Sequence, residues 1–252
     1  MNSNNIVLEN VLQQNLLIVG MGGLGVPAAL AAVNEGVRRL TLIDPDPVEL
    51  SNLARQVIYT TADIGIAKVD AAARYLKKIA LDAEVTPITG RLDSFNAAEI
   101  IAGAGFVIDA TDDPATKFLI NDLCVAGAVP FVYGGVLGYA GNVMSVVPGR
   151  SACLRCLFEN PPDAADTVSC REAGIIGPIA GLIGHIQGSE AARWIAGEPL
   201  EIAGAIVTYD AAHALRMRRL EVRPRAGCSC GAIHWKSKTA GATAMASSDT
   251  RG

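Results

Sequence analysis

The sequence predicts an α/β protein built on a doubly wound, mostly parallel β-sheet. Three observations lead to this prediction. Strand-like and helix-like apolar segments alternate along the first half of the chain, glycine-rich turns separate them, and 50% of the 252 residues are hydrophobic. Alternating strands and helices of this kind form a parallel sheet that helices cover on both faces.

The first half of the chain accounts for the parallel part of the sheet. Its opening strand is the fully apolar run Leu16–Val19. The last of its helices begins at Pro114, which suits the first turn of a helix because no backbone N–H is needed there. Strands are predicted over residues 16–19, 40–43, 85–89, 106–110 and 130–135, a loop over 45–62, and helices over 25–35, 66–80, 96–103 and 114–127.

The sequence of the second half of the chain predicts strands that extend this sheet in antiparallel fashion. Its strand-like segments no longer alternate regularly with helices, and its C-terminal tail has few large apolar groups, which predicts disorder. Strands are predicted over 141–148, 205–211 and 217–222, a polar loop over 159–172 and a long helix over about 175–196, all in one domain of residues 1–235, followed by a disordered tail over 236–252.

A glycine-rich run between the first strand and the first helix is the most informative motif. Its sequence is Gly20-Met21-Gly22-Gly23-Leu24-Gly25, and Asp44 follows nineteen residues later at the end of the second strand. Glycines let backbone N–H groups approach a phosphate at the positive end of the following helix. A carboxylate after the second strand accepts hydrogen bonds from a ribose. The sequence therefore predicts a Rossmann-like sheet that binds an adenine nucleotide through Gly20, Gly22, Gly23, Gly25 and Asp44.

Cations and carboxylates follow in loops that such a fold places at the same edge of the sheet. Hydride transfer needs no cluster of this kind, whereas ATP cleavage needs cations for the triphosphate and a carboxylate for Mg²⁺. Taken singly, Arg55 could be a surface residue, Lys68 a charge at a helix start, and the aspartate pair an N-cap for the helix at Pro114. Their joint order favours ATP, and the residues concerned are Ser51, Asn52, Arg55, Lys68, Asp112 and Asp113.

These motifs together resemble the ubiquitin-activating-enzyme-like superfamily. The matching segments are G-x-G-G-L-G, the L-x-D that ends the second strand, S-N-L-x-R, G-x-x-K and D-x-T-D. The C-x-x-C at Cys153 and Cys156 and the segment Cys170–Gly174 point to its ThiF/MoeB/HesA family. Members of this family adenylate the C-terminal glycine carboxylate of a ubiquitin-like sulfur carrier of ThiS or MoaD type. The resemblance thus implies an adenylyltransferase that uses ATP and Mg²⁺, with a partner protein ending in Gly-Gly.

The resemblance also implies roles for individual residues. It assigns Asp44 to the ribose, the turn at Gly22 to the α-phosphate, and Asp112 to Mg²⁺. Cys170 matches the family cysteine that can form a thioester or an acyl disulfide with the activated carrier. Family members usually carry Asn after the magnesium aspartate, where this chain has Asp113. With Asn52 also assigned to the phosphates, the implied catalytic residues are Arg55, Lys68, Asp112 and Cys170.

Four of the six cysteines form two pairs with the spacing of metal ligands. Cys153 and Cys156 form a C-x-x-C pair, and Cys228 and Cys230 form a C-x-C pair. Four thiolates make a closed tetrahedral Zn²⁺ site with a structural role. The C-x-C pair is one residue shorter than usual, so we expect strain in two-point chelation. Cys124 is predicted to be a small core residue.

Charge and targeting signals exclude several classes of protein. The net charge of −4 offers no broad basic surface for nucleic acid. The polar residues 1–5 lack the basic-then-apolar pattern of a signal peptide, and the apolar stretch 173–186 is too short to span a bilayer. We expect a cytoplasmic protein without membrane contact. The family resemblance and the Gly-rich helix over 175–196 predict a homodimer.

Three alternatives to carrier adenylation stay open. The substrate could be a peptide or small-molecule carboxylate, or the chain could be a catalytically impaired nucleotide-binding scaffold. The first nineteen residues contain no Arg or Lys, whereas typical relatives carry an R-x-x-R-Q segment whose arginine reaches into the partner subunit's ATP site, and this favours the scaffold. A nicotinamide-dependent oxidoreductase leaves Arg55, Lys68 and Asp112 unexplained.

Overall fold

A computed structural model describes residues 14–161, 174–213 and 215–232 of the chain. Its strands are β1 (Leu16–Val19), β2 (Arg39–Asp44), β3 (Glu84–Thr89), β4 (Phe106–Asp109), β5 (Phe131–Leu137), β6 (Ala140–Val146), β7 (Ala205–Asp210) and β8 (Arg216–Glu221). Its helices are α1 (Gly25–Asn34), α2 (Lys68–Ile79), α3 (Ala97–Ala102), α4 (Pro114–Ala126), α5 (Leu154–Leu157), α6 (Gly177–Ile195) and α7 (Ser229–Ala232), with 3₁₀ turns at Leu50–Asn52 and Thr61–Asp63.

The eight strands form one sheet in the order β3-β2-β1-β4-β5-β6-β7-β8. Neighbours from β3 to β5 are parallel, and those from β5 to β8 are antiparallel. The predicted doubly wound sheet with an antiparallel extension is thereby confirmed. The chain reverses its direction of travel across the sheet between β1 and β4, and the crevice at such a reversal is where this class of sheet binds ligands.

The central strands are buried because they carry apolar side chains on both faces. Every residue of β1 and β4 is buried. Leu16 and Ile18 pack into a core shared with α1, α2 and α6, while Leu17 and Val19 pack into a second core shared with α3 and α4. Alternation of side chains along a strand produces this division. The sheet therefore holds the crevice between two separately packed layers.

Helices α1 and α6 pack in backbone contact through two glycines. A Cβ atom on Gly184 would lie 2.6 Å from Cγ of Pro27, and one on Gly188 would lie 2.7 Å from Cβ of Ala31. Real side chains do not approach this closely, so only glycine fits. Gly184 and Gly188 therefore serve packing within the chain.

The structure shifts several predicted boundaries. β5 continues two residues beyond the predicted end at Gly135, because the hairpin partner β6 keeps pairing with it up to Leu137 and Ala140. The long helix starts at Gly177 with Pro178 in its first turn. The short helices α5 and α7 were not predicted, and the predicted tail lies outside the described residues. None of the helices in the described ranges combines the length and apolarity that crossing a bilayer requires.

Substituting Gly188 tests the contact between α1 and α6. We expect Gly188→Ala to lower the free energy of unfolding by about 1–3 kcal/mol, because the new methyl group overlaps α1. Gly181 is the matched control, since a Cβ there meets nothing within 4 Å. Gly181→Ala should leave stability unchanged or raise it by about 1 kcal/mol through helix propensity. Urea unfolding measures both variants, and equal effects would contradict the packing.

Candidate active site

The glycine turn lies at the crevice between the ends of β1 and β4. Gly20 has φ +95°, and a Cβ on it would lie 2.7 Å from the carbonyl oxygen of Ala110. A Cβ on Gly25 would overlap the carbonyl oxygen of Gly20, so Gly25 permits close packing of α1 on the turn. Gly22 and Gly23 have no such backbone contact and face the cavity. The turn thus opens its backbone toward a ligand, as phosphate binding requires.

Asp44 ties the end of β2 to this turn. Its Oδ2 accepts a hydrogen bond from the backbone N–H of Met21 at 2.6 Å, and its Oδ1 accepts one from the N–H of Asp46 at 2.9 Å. Burial raises the pKa of Asp44, although Lys68 and the two backbone donors act in the opposite direction. Each carboxylate oxygen has a second lone pair, so Asp44 can still accept hydrogen bonds from a ribose.

Lys68 is a buried cation held between two carboxylates. Its Nζ lies 2.8 Å from Oδ2 of Asp46 and 3.7 Å from Oδ1 of Asp44. The hydroxyl of Tyr59 donates to the carbonyl oxygens of Met21 at 2.9 Å and of Lys68 at 3.2 Å. Tyr59 therefore connects the first turn of α2 to the glycine turn and fixes the position of the Lys68 backbone.

The loop after β2 brings three polar residues to the cavity. Arg55 donates from its guanidinium to the carbonyl oxygen of Ser51 at 2.9 Å. Asn52 is buried, and its Oδ1 accepts from the N–H of Glu49 at 3.2 Å, which shapes the 3₁₀ turn. Gln56 is 2% exposed, and its Oε1 has no hydrogen-bond partner within the described ranges. An unpaired buried acceptor beside an open cavity is suited to a ligand that donates a hydrogen bond.

The aspartates after β4 are used in different ways. Asp113 is the N-cap of α4, because its Oδ2 accepts from the backbone N–H of Thr116 at 2.9 Å and from its hydroxyl at 2.6 Å. Burial acts to raise the pKa of Asp113, but these hydrogen bonds outweigh it and the pKa is lowered. Asp112 is exposed at the cavity. The capping alternative therefore holds for Asp113, and Asp112 keeps its carboxylate at the cavity.

A second buried ion pair supports the end of β4. Nζ of Lys117 lies 3.2 Å from Oδ1 of Asp109 and donates to the carbonyl oxygen of Gly134 at 2.7 Å. The hydroxyl of Thr111 donates to the same Asp109 oxygen at 2.7 Å. Lys117 also lies 4.8 Å from the ring centroid of Tyr133. This network joins the ends of β4 and β5 along one wall of the cavity.

The cavity that these elements enclose measures about 1100 Å³. It contains basic, acidic and amide side chains together with apolar ones such as Ile43 and Leu92. The predicted nucleotide-binding residues that line it are Gly20, Gly22, Gly23, Asp44, Ser51, Asn52, Arg55, Lys68, Asp112 and Asp113. Gly25 lies behind the turn, and Cys170 lies outside the described residues.

Sequence reasoning gave no role to four residues of this site. Gln56 directly follows Arg55, and Asp109 opens the D-x-T-D motif, so each had a local signal. Tyr59 contacts Met21, 38 residues away, which no spacing pattern reveals. Lys117 reaches Asp109 only because the first turn of α4 folds back on the end of β4. All four help to position the predicted residues.

The two cysteine pairs converge on one point next to α5 and α7. Sγ of Cys153 lies 3.6 Å from Sγ of Cys228, and Sγ of Cys156 lies 3.5 Å from Sγ of Cys230. All four sulfur atoms lie within 4.8 Å of one another. Zn–S bonds of about 2.3 Å in a tetrahedron place sulfurs roughly 3.8 Å apart, so the four residues fit a metal ion. Cys124 is a buried core residue of α4, outside this cluster.

Comparisons with known proteins identify the family of the chain. The model of the ThiF family matches residues 4–232. The SAMP-activating enzyme E1 of Haloferax volcanii is 35% identical over 80% of this chain and 74% of its own length. The sulfur carrier protein adenylyltransferase of Thermus thermophilus is 36% identical over 88% of this chain and 84% of its own length. The chain spans about half (48%) of the adenylyltransferase and sulfurtransferase MOCS3 of Aedes aegypti.

Solved structures show the same fold. The E. coli MccB structure with ATP superposes with a TM-score of 0.78 at 18% identity, over 92% of this chain and 71% of that one. PaaA superposes with a TM-score of 0.71 at 25% identity, over 88% and 68%. With the family model covering nearly all described residues, this chain belongs to the ThiF family.

Proposed function

We propose that this chain is an ATP- and Mg²⁺-dependent adenylyltransferase that activates the C-terminal glycine carboxylate of a ubiquitin-like sulfur carrier for sulfur transfer. The observation that supports it best is the meeting of a phosphate-binding turn, two cations and a free carboxylate in one cavity. Gly22, Arg55, Lys68 and Asp112 all line that cavity. The names of the Haloferax and Thermus relatives support the same class of substrate.

Adenylation of a carboxylate requires electrostatic stabilisation and correct positioning of the two substrates. The carrier's terminal carboxylate has an ordinary pKa near 3.5, so it is ionised at neutral pH and needs no general base. Its oxygen attacks the α-phosphorus of ATP, an acyl–phosphate bond forms, the bond to the β-phosphate breaks, and pyrophosphate leaves. Arg55 and Lys68 reduce the repulsion between the two anions. Mg²⁺ on Asp112 would neutralise the leaving pyrophosphate.

Two carboxylates beside Lys68 determine how it can bind the triphosphate. Without ligand it lies against Asp44 and Asp46, so its charge is balanced within a buried site. We infer that the triphosphate competes with Asp46 for this ammonium group, since Asp46 is half exposed and can turn to solvent. Asp44 stays in place through its backbone donors and binds the ribose.

We assign Zn²⁺ to the cluster of Cys153, Cys156, Cys228 and Cys230 in a structural role. The short C-x-C pair fits because each of its cysteines faces a different member of the first pair. Burial raises the pKa of Cys153, and a bound dication would act in the opposite direction by stabilising the thiolate. A cluster of reduced thiols suits a cytoplasmic location.

We further propose a homodimer. This proposal now rests on the family resemblance alone, because Gly184 and Gly188 of the Gly-rich helix α6 pack against α1 of the same chain and are not available to a second subunit. Cys170 is proposed as the cysteine that receives the activated carrier. Sedimentation of the protein and trapping of a thioester with a Cys170→Ser control test them.

ATP–pyrophosphate exchange with a panel of carrier proteins ending in Gly-Gly tests the central proposal. We expect exchange that requires Mg²⁺ and one of the carriers, and that disappears when the last glycine of that carrier is removed. ATP with Mg²⁺, and not NAD, should raise the melting temperature. Tight ATP binding without exchange for any carrier would contradict the proposal and favour a scaffold.

Asp112 and Asp113 form a matched pair for testing the magnesium assignment. Asp112→Asn should lower the exchange rate at least about a hundredfold, because it removes the carboxylate proposed to hold the Mg²⁺ that neutralises the leaving pyrophosphate. Asp113→Asn should retain most activity, since an Asn side chain still accepts the Thr116 hydrogen bonds as an N-cap. Both variants should keep wild-type stability in urea. Equal loss of activity in the two would refute the division of roles.

Metal analysis tests the cysteine cluster. The purified protein should contain one zinc ion per chain, and Cys228→Ser should lose it and about 3 kcal/mol or more of unfolding free energy. Cys124→Ala serves as the control, because it removes a buried thiol outside the cluster and should retain zinc. Full zinc content in Cys228→Ser, or none in the wild type, would exclude the assignment.

A further inference from the structure

The cavity continues past the nucleotide-binding residues onto the ends of β5 and β6. Its wall there includes Tyr133, Gly135, Leu137, Ala140 and Asn142. The total volume of about 1100 Å³ exceeds the range of about 300–1,000 Å³ that holds one small ligand. The residues to which ATP and Mg²⁺ are assigned above come from other elements, so this wall is available to the second substrate.

Gly135 lies in this wall beneath two polar atoms. It pairs with Asn142 across the β5–β6 hairpin, so both residues share one face of the sheet. A Cβ on Gly135 would lie 2.8 Å from the hydroxyl oxygen of Tyr133 and 3.0 Å from Oδ1 of Asn142. These distances leave no room for a methyl group, so glycine is what allows the side chains of Tyr133 and Asn142 to lie over the strand at this point.

Asn142 carries an unused acceptor beside Gly135. Its Oδ1 is buried, and no group in the described part of the chain donates a hydrogen bond to it. Buried acceptors are seldom left unpaired, because they lose hydration without compensation. Gln56 has a similar unpaired oxygen, but it lies beside Gly22 in the nucleotide half of the cavity. Gln187 has one as well, but its amide lies over Gly134, which faces the opposite side of the sheet from Gly135. Among these three, Asn142 is the acceptor on the face of the β5–β6 wall that carries Gly135.

A peptide tail supplies the donor that this acceptor lacks. The carboxylate of the tail needs cations, but its backbone N–H groups need a neutral acceptor, since a carboxylate at position 142 would repel the approaching anion. A Gly-Gly end has no side chains, so its backbone can approach the wall at Asn142 closely. We propose that Asn142 binds the substrate by accepting a hydrogen bond from a backbone N–H of the C-terminal Gly-Gly. This inference rests on the proposed function and adds to it how a peptide carboxylate is distinguished from a simple one.

N-methylation of the tail, combined with substitution of Asn142, tests the hydrogen bond directly. The probe is the carrier that supports pyrophosphate exchange, prepared by semisynthesis with either of its last two amides N-methylated. In the wild type, one of the two methylated carriers should lose about three- to tenfold in kcat/KM. In Asn142→Ala that ratio should fall to about one. Asn142→Asp keeps an acceptor oxygen, so the discrimination should persist although the overall rate falls.

The outcomes separate this inference from the proposed function. Exchange with the unmodified carrier but the same methylation ratio in wild type and Asn142→Ala, or no methylation effect in the wild type, would overturn the role of Asn142 and leave adenylation standing. Absence of exchange with every unmodified carrier would overturn both. The dissociation constant for MgATP should be unchanged in Asn142→Ala, and a shift there would mean that Asn142 serves the nucleotide instead.

Gly135→Ala provides an independent test of the acceptor's position. The added methyl group would meet Oδ1 of Asn142 and the hydroxyl of Tyr133, so it should displace the acceptor and raise the KM for the carrier, while the affinity for MgATP stays at the wild-type value because the residues assigned to the nucleotide lie elsewhere in the cavity. An unchanged KM for the carrier, in a variant with wild-type stability in urea, would show that the tail does not use this acceptor.

Discussion

The site depends on the fixed position of one peptide unit, at Met21. Its N–H donates to Asp44, its carbonyl oxygen accepts from Tyr59, and its side chain is fully buried. Three segments of the chain thus hold the centre of the glycine turn, although glycine-rich backbone is the most costly to order. Because this order is established when the protein folds, a bound triphosphate has no further ordering of the turn to offset.

The same contacts determine the electrostatics of the cavity. Asp44 is held where burial opposes its charge, and Lys68 is brought to it by the link that Tyr59 makes to the start of α2. A cation and a carboxylate that share a buried site stabilise each other without a large net charge. The pair can then respond to an incoming anion by rearranging Asp46, which is closer to solvent. Lys68 therefore contacts one fixed carboxylate, Asp44, and one that can move, Asp46.

Local patterns were sufficient for the parts of the site that neighbouring residues define. The glycine turn, Asp44 and the cysteine pairs depend on strand ends and short spacings, so the sequence alone identified them. Asp112 and Asp113 could not be separated, because a cap and a ligand carboxylate look alike in sequence and only the hydrogen bonds of Thr116 distinguish them. The pairing of Lys117 with Asp109, and the position of Asn142 opposite Gly135, depend on tertiary packing and strand register, which no short motif encodes.

The nucleotide half of the cavity and the β5–β6 half differ in the groups that they offer to a ligand. Arg55 and Lys68 attract any anion, so charge alone cannot sort a triphosphate from a carboxylate. Sorting requires uncharged groups with fixed directions: backbone N–H groups at the glycine turn favour phosphate, while the neutral acceptor of Asn142 beside Gly135 favours a peptide. Since β5 and β6 are locked to each other through seven paired positions and β4 is tied to β5 by Lys117, these directional groups sit on one rigid sheet. In the proposed complex, the register of the strands would set the distance between the nucleotide and the carrier tail, and Arg55 and Lys68 would lower the repulsion between them.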